Sequence, residues 1–168
     1  EEAMARKRKE LELLVVPDAT IEDIFNKFKD PLYKERIQVF HFAGHGGGSL
    51  LEFESEDGRG EEANMKYLLQ FLSEQSELEL VFLNACETLS QLKYLQLANI
   101  PNAILTDSKI SDRIASQFAQ IFYENLSHGF SYKDAYRAAS QEILSYANQA
   151  VWRSLDFGDE QQKDNLPW

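Results

Sequence analysis

At 168 residues and 19.3 kDa the chain has the length of one ordinary domain, enough to bury roughly 70% of the surface its unfolded form exposes. Hydrophobic residues make up 43% and charged ones 27%, a balance that offsets folding entropy and excludes wholesale disorder. Seventeen Lys and Arg against 28 Asp and Glu leave a formal charge of -11, which repels phosphate backbones and anionic membranes and argues against nucleic acid as a partner.

No apolar run approaches the ~18 residues needed to span a bilayer, and no cleavable signal peptide is visible, so the chain reads as a cytoplasmic domain with no membrane partner. A single cysteine, Cys86, excludes an internal disulfide and any multi-thiolate zinc or iron-sulfur site. The sequence opens on Glu1-Glu2-Ala3 and stops at Leu166-Pro167-Trp168. We read it as a piece of a longer protein, with further domains of the same chain or a regulatory partner beyond it.

In chain order, Glu1 and Glu2 precede the basic run Arg6-Lys7-Arg8-Lys9, the charge order that favours a solvated helix through its dipole. Residues 11–16 are apolar and read as a short strand halted by Pro17. Thr20 stands before Ile21, Ile24, Phe25 and Phe28 at helical spacing, with Asp23 placed to complete a capping box. That helix should end near Asp30-Pro31. Residues 37–43 are almost continuously apolar, as expected of a strand buried on both faces of a parallel sheet, and Gly44-His45-Gly46-Gly47-Gly48 breaks them. Leu50, Leu51 and Phe53 suggest another short strand, followed by a polar hairpin around Asp57-Gly58 and a helix over 62–73. Residues 78–83 form the second strongly buried strand, ending at Asn84-Ala85-Cys86. A helix bearing Leu92, Leu95 and Leu97, a strand over 103–106 and amphipathic helices over 112–126 and 132–146 complete the pattern, with Gly129 as the stop between the last two. Residues 151–168 are read as a polar linker toward a further module, most acidic between Asp156 and Asp164.

Strands alternating with helices predict an α/β fold: a mostly parallel sheet with helices on both faces, and sites beyond the carboxyl ends of its strands. His45 and Cys86 each follow one of the two most buried strands. His41 and His45 are four apart, but a zincin needs that spacing on one helix with Glu after the first His, and here Phe42 follows on a strand, so no metal is expected. The glycine loop lacks a Gly-Lys-Ser/Thr ending, and Ser49 stands at the third dinucleotide position, which argues against a nucleotide cofactor. His45-Gly46-Gly47-Gly48 mimics the oxyanion loop of lipases and esterases, but no Gly-x-Ser-x-Gly accompanies it, so that type of hydrolase is excluded. A thiol and an imidazole remain. Together they suit peptide hydrolysis: the imidazole raises the thiolate fraction and later protonates the leaving amine, while backbone amides, Gly46 among them, hold the oxyanion. The competing reading of Cys86 is an inert core thiol.

Val39-Phe40-His41-Phe42-Ala43-Gly44-His45-Gly46, followed some forty residues later by Leu80-Val81-Phe82-Leu83-Asn84-Ala85-Cys86-Glu87-Thr88, resembles the two catalytic segments of CHAT domains, in the caspase, separase and gingipain superfamily of cysteine endopeptidases. Residues 102–106, Asp112, and the helical residues from Phe118 to Gly129 with Ala135 and Ala139 extend the resemblance, which covers about residues 10–145. It implies a caspase-like three-layer α/β domain over residues 1–150, with the family's first strand upstream of Glu1. It also implies His45 as base and acid, Cys86 as nucleophile, and the Gly46 and Cys86 amides as oxyanion donors, with His41 a supporting residue. The expected function is a cytoplasmic cysteine endopeptidase acting on a protein substrate under the control of attached modules, with no cofactor. The alternative is a catalytically silent interaction or sensor module. Asp112 and Asp107 are candidate substrate-binding carboxylates for a basic side chain. For Asp112, a capping or dipole role at a helix start explains the residue equally well.

Overall fold

The computed structural model describes residues 11–47, 50–55, 60–98, 100–147 and 152–156. The basic run at 6–9, the hairpin turn at Asp57-Gly58 and the tail beyond 156 lie outside the described residues. The chain divides into two compact units, one comprising Glu1–Val15 with Ile110–Val151 and the other Val16–Lys109 with Trp152–Trp168.

In the sheet unit, α1 spans Ile21–Lys29 and begins as expected, with Thr20 Oγ1 accepting from the Asp23 amide at 3.1 Å and the Asp23 carboxylate accepting from the Thr20 amide at 2.9 Å. Strand β1 is Val39–Ala43. It is followed by an antiparallel sheet of β2 (Gly46–Gly47), β3 (Leu50–Glu54) and β4 (Gly60–Asn64), then by α2 (Met65–Ser73). Strand β5 is Leu80–Asn84, and a 3-10 turn over Thr88–Gln91 leads into α3 (Leu92–Leu97), β6 (Asn102–Thr106) and, after the helical unit, β7 (Trp152–Asp156).

The main sheet runs β1-β5-β6-β7, with β1, β5 and β6 parallel and β7 antiparallel to β6. Every residue of β5 is buried, as its unbroken apolar run predicts for a strand covered on both faces. Val81 and Leu83 join Phe42, Ala103 and Leu105 in one core with Ile24 and Phe28 of α1, Leu68, Leu69 and Leu72 of α2, and Leu95 of α3. Leu80, Phe82 and Ile104 alternate onto the opposite face and are also fully buried. The architecture is mixed α/β with a mostly parallel sheet, consistent with the caspase-like class expected from sequence.

The helical unit holds α4 (Asp112–Ser127) and α5 (Tyr132–Ala147). Ser111 caps the first through its bond from the Ile114 amide, and Ser131 caps the second through its bond from the Asp134 amide at 3.1 Å. Gly129, at φ 82°, supplies the left-handed residue that ends α4. Phe118 meets Tyr136 edge-on at 6.0 Å, and Ala135 and Ala139 are fully buried.

Three expectations need correction. Residues 11–16 form no strand, and Leu13 and Val15 are exposed; an apolar run has strand propensity, but a strand also needs a neighbour to bond. Residues 60–64 are a strand, not a helix start. Their pairing with β3 fixes them, and α2 begins only where Asn64 Oδ1 accepts from the Lys66 amide at 3.0 Å. The linker expected from 151 instead opens as β7, because Trp152 is buried and its indole N–H donates to Asn84 Oδ1 at 3.2 Å.

Candidate functional site

The site is built at the carboxyl ends of β1 and β5. In the parallel register, Ala43 pairs with Asn84. His45 and Cys86 each stand two residues beyond that rung, on adjacent strand exits. His45 is exposed and Cys86 half-buried.

The Cys86 loop is tied down by two buried threonines. Thr88 Oγ1 donates to the Leu83 carbonyl at 3.1 Å and accepts from the Thr106 amide at 2.9 Å. Thr106 Oγ1 donates to the Ala85 carbonyl and accepts from the Thr88 amide at 3.3 Å. Each hydroxyl thus satisfies one buried carbonyl and one buried amide that the turn removes from the ladder. Glu87 takes the left-handed conformation at φ 55°, which reverses the chain directly after the thiol. Its amide donates to the Ser108 carbonyl at 3.5 Å. The sequence marked Thr88 only as part of a motif; its burial beside Thr106 supplies the physical reason for it.

The His45 loop is fixed from the other side. Its carbonyl accepts from the Glu52 amide of β3 at 3.1 Å. The next rung, Gly46 opposite Leu51, is therefore a non-hydrogen-bonded one, and the Gly46 amide turns away from β3. A Cβ on Gly46 would fall 2.9 Å from Leu51 Cδ2 and 3.1 Å from the Leu50 carbonyl oxygen, so the close approach needs glycine. The same Cβ position is 3.5 Å from Ala85 Cβ. The loops after β1 and β5 therefore approach each other at the residues next to His45 and Cys86.

His41, inside β1, is set apart from this chemistry. Its ring stacks on Phe82 at 4.2 Å and 4°, and burial holds its pKa down to about 4. It is half-buried inside the strand, away from the strand exit where His45 stands.

Asp107 follows β6 directly. Its Oδ2 lies 2.7 Å from Arg153 Nη2 of β7, and its Oδ1 accepts from Ser108 Oγ at 3.2 Å. Asp112 belongs to the helical unit, where it is the exposed first residue of α4 behind the Ser111 cap. Trp152 and Arg153 lie outside the motifs read from sequence; the aromatic Trp152 beside the β-branched Val151 is the strand-favouring signal there. Among the described residues, no group of three or more His, Cys, Asp or Glu is placed to hold a metal ion, and no helix is long and apolar enough to cross a membrane.

The family model of the CHAT domain matches residues 2–165. The chain belongs to the CHAT family. CHAT domains are related to the caspase-like cysteine peptidases, and the match runs past residue 150 into the tail that composition alone reads as linker. Among curated proteins no match is found.

Proposed function

We propose that this CHAT domain is a cysteine endopeptidase in which Cys86 and His45 form the catalytic pair, acting on a protein substrate under the control of attached modules. The observation that carries the proposal is the register. Both residues stand two positions beyond the Ala43–Asn84 rung on neighbouring parallel strands, in loops that meet where Gly46 approaches Ala85.

His45 takes the thiol proton as Cys86 Sγ attacks the scissile carbonyl carbon. The resulting oxyanion is held by backbone amides, for which Gly46, turned away from its ladder, and Cys86 are the candidates. Collapse of the tetrahedral intermediate breaks the C–N bond, and His45 returns its proton to the leaving amine. Water, deprotonated by His45, then attacks the thioester, and release of the acid regenerates the thiol. Thiol, imidazole and amides suffice for this chemistry, so it calls for no metal or organic cofactor. Asp107, at the nucleophile loop, is the proposed partner for a basic substrate side chain; Asp112 is the other candidate from sequence, and its capped helix start supports the dipole role as well.

The test is labelling by peptidyl thiol electrophiles together with cleavage of a peptide library. Wild type should be labelled at Cys86, the His45→Ala variant far more slowly, and Cys86→Ala should cleave at background, since nucleophile and base act as a unit. Equal labelling of wild type and His45→Ala, or full cleavage by Cys86→Ala, would overturn the proposal and leave a silent interaction module.

A further inference from the structure

Asp107 sits directly beside the nucleophile loop. Its chain neighbours are both bonded to that loop: Thr106 Oγ1 to the Ala85 carbonyl, and the Ser108 carbonyl to the Glu87 amide. Residues 85 and 87 flank Cys86, so residues 106–108 run alongside the backbone of the Cys86 loop. The Asp107 side chain is only 23% exposed, and one of its oxygens is already engaged by a guanidinium, Arg153 Nη2, at 2.7 Å. Arg153 reaches it from β7, where it stands opposite Leu105.

We infer that Asp107 is a guanidinium-binding site occupied in cis by Arg153, so that β7 presents a tethered stand-in for an arginine side chain of the substrate. The inference rests on the peptidase reading for the identity of the displacing ligand, but not for the site itself. Three features support displacement over permanent structure. The Arg153 side chain is 54% exposed, and ion pairs so open to solvent contribute little to stability. The second Asp107 oxygen is held by Ser108 Oγ, which orients the carboxylate independently of Arg153. Strand β7 itself is anchored elsewhere, through Trp152 to Asn84 and through its pairing with β6, so the guanidinium can leave while the strand stays. A tethered competitor acts at high effective concentration. It competes with ligands that offer a guanidinium alone and yields to peptides that add backbone contacts beside the Cys86 loop. The planar fork of arginine, more than the point charge of lysine, fits a carboxylate so oriented.

The experiment uses the 168-residue chain with agmatine as the probe, followed by calorimetry and by the amide shifts of residues 106–108. Arg153→Ala should bind agmatine about two- to fivefold more tightly than wild type, because an intramolecular competitor of the modest strength of an exposed ion pair is gone. Adding Asp107→Asn should abolish the gain. Equal binding by wild type and Arg153→Ala, or binding that survives Asp107→Asn, overturns the inference. Arg153→Gln serves as a second variant that keeps the length of the side chain. If neither variant retains the wild-type fold by circular dichroism, the pair is structural and the inference also falls. In parallel, an arginine-bearing electrophile should label Cys86 of Arg153→Ala faster than wild type, with a leucine-bearing one unchanged. Absence of labelling by either reagent in every variant refutes the peptidase reading alone, since agmatine binding is read without the thiol.

Discussion

His41 offers a direct test of how the sheet is packed. It is the central residue of β1, opposite Phe82, with the two rings stacked and its Nε2 shielded from solvent. Burial disfavours the imidazolium, which takes the pKa from an ordinary 6.5 down to about 4. The unfolded chain therefore binds a proton below about pH 6.5 that the native state refuses until about pH 4. The stabilisation by neutral His41 is complete above 6.5 and is lost progressively as the pH falls through that window. The full gap corresponds to about 3 kcal/mol, of which about 2 kcal/mol is already lost near pH 5.

Urea unfolding of wild type and His41→Phe at about pH 7.5 and about pH 5 isolates this contribution, because the carboxylates shared by both proteins cancel in the difference. Phenylalanine keeps a flat ring against Phe82 and removes the titration. Wild type should lose about 2 kcal/mol more than the variant between the two conditions. An equal loss in both proteins, or an imidazole that titrates near 6.5 by NMR in the native state, would show that His41 is not enclosed.

Thr88→Val removes the donor to the Leu83 carbonyl and the acceptor for the Thr106 amide, so it should cost about 2 to 4 kcal/mol in thermal or urea unfolding. Thr88→Ser, which keeps both bonds, should cost less than half as much. Gly46→Ala places a methyl against Leu51 and the Leu50 carbonyl; calorimetry should show a loss of about 1 to 3 kcal/mol, with Cys86 labelling slower than in wild type.

Strands β5 and β6 were legible because burial on both faces demands apolar runs; β1 forms where its apolar run predicts a strand, but of its residues only Phe42 is buried, so the expected burial on both faces does not hold for it. Helix α1 was legible because Thr20 and Asp23 stand three apart at the start of a helical stripe. The exits of β1 and β5 were legible from where those runs stop, at Ala43 and Leu83, two and three residues before His45 and Cys86. What the sequence concealed depends on partners. Residues 60–64, Gly-Glu-Glu-Ala-Asn, bury only Ala63, so nothing in their composition announces a strand, and pairing with β3 decides it. Residues 11–16 carry strand propensity and form no strand, the reverse case. The Thr88–Thr106 exchange joins residues 18 apart in sequence, and two threonines so spaced carry no local pattern. Arg153 reads as one more surface charge until β7 brings it to Asp107.

Strand β7 also shows where the Cys86 loop draws support from the far end of the chain. Trp152 lies opposite Thr106 and reaches past β6 to Asn84, the last residue of β5. One side chain therefore spans the ends of three strands, and two of those ends lead directly into Cys86 and Asp107. Trp152→Phe keeps most of the buried aromatic area and removes the indole donor, so the loss should be close to that of one buried hydrogen bond, about 1 to 2 kcal/mol. Because β7 is the last strand of its sheet among the described residues, its amides should open at lower free energy than those of β5. Hydrogen exchange can separate the two effects: the variant should speed exchange in β7 and at the end of β6 while β5 at Leu80 to Phe82 tracks only the change in global stability. Uniform acceleration across all three strands would mean that the indole bond supports the whole sheet, and no acceleration in β7 would mean that Asn84 does not hold it.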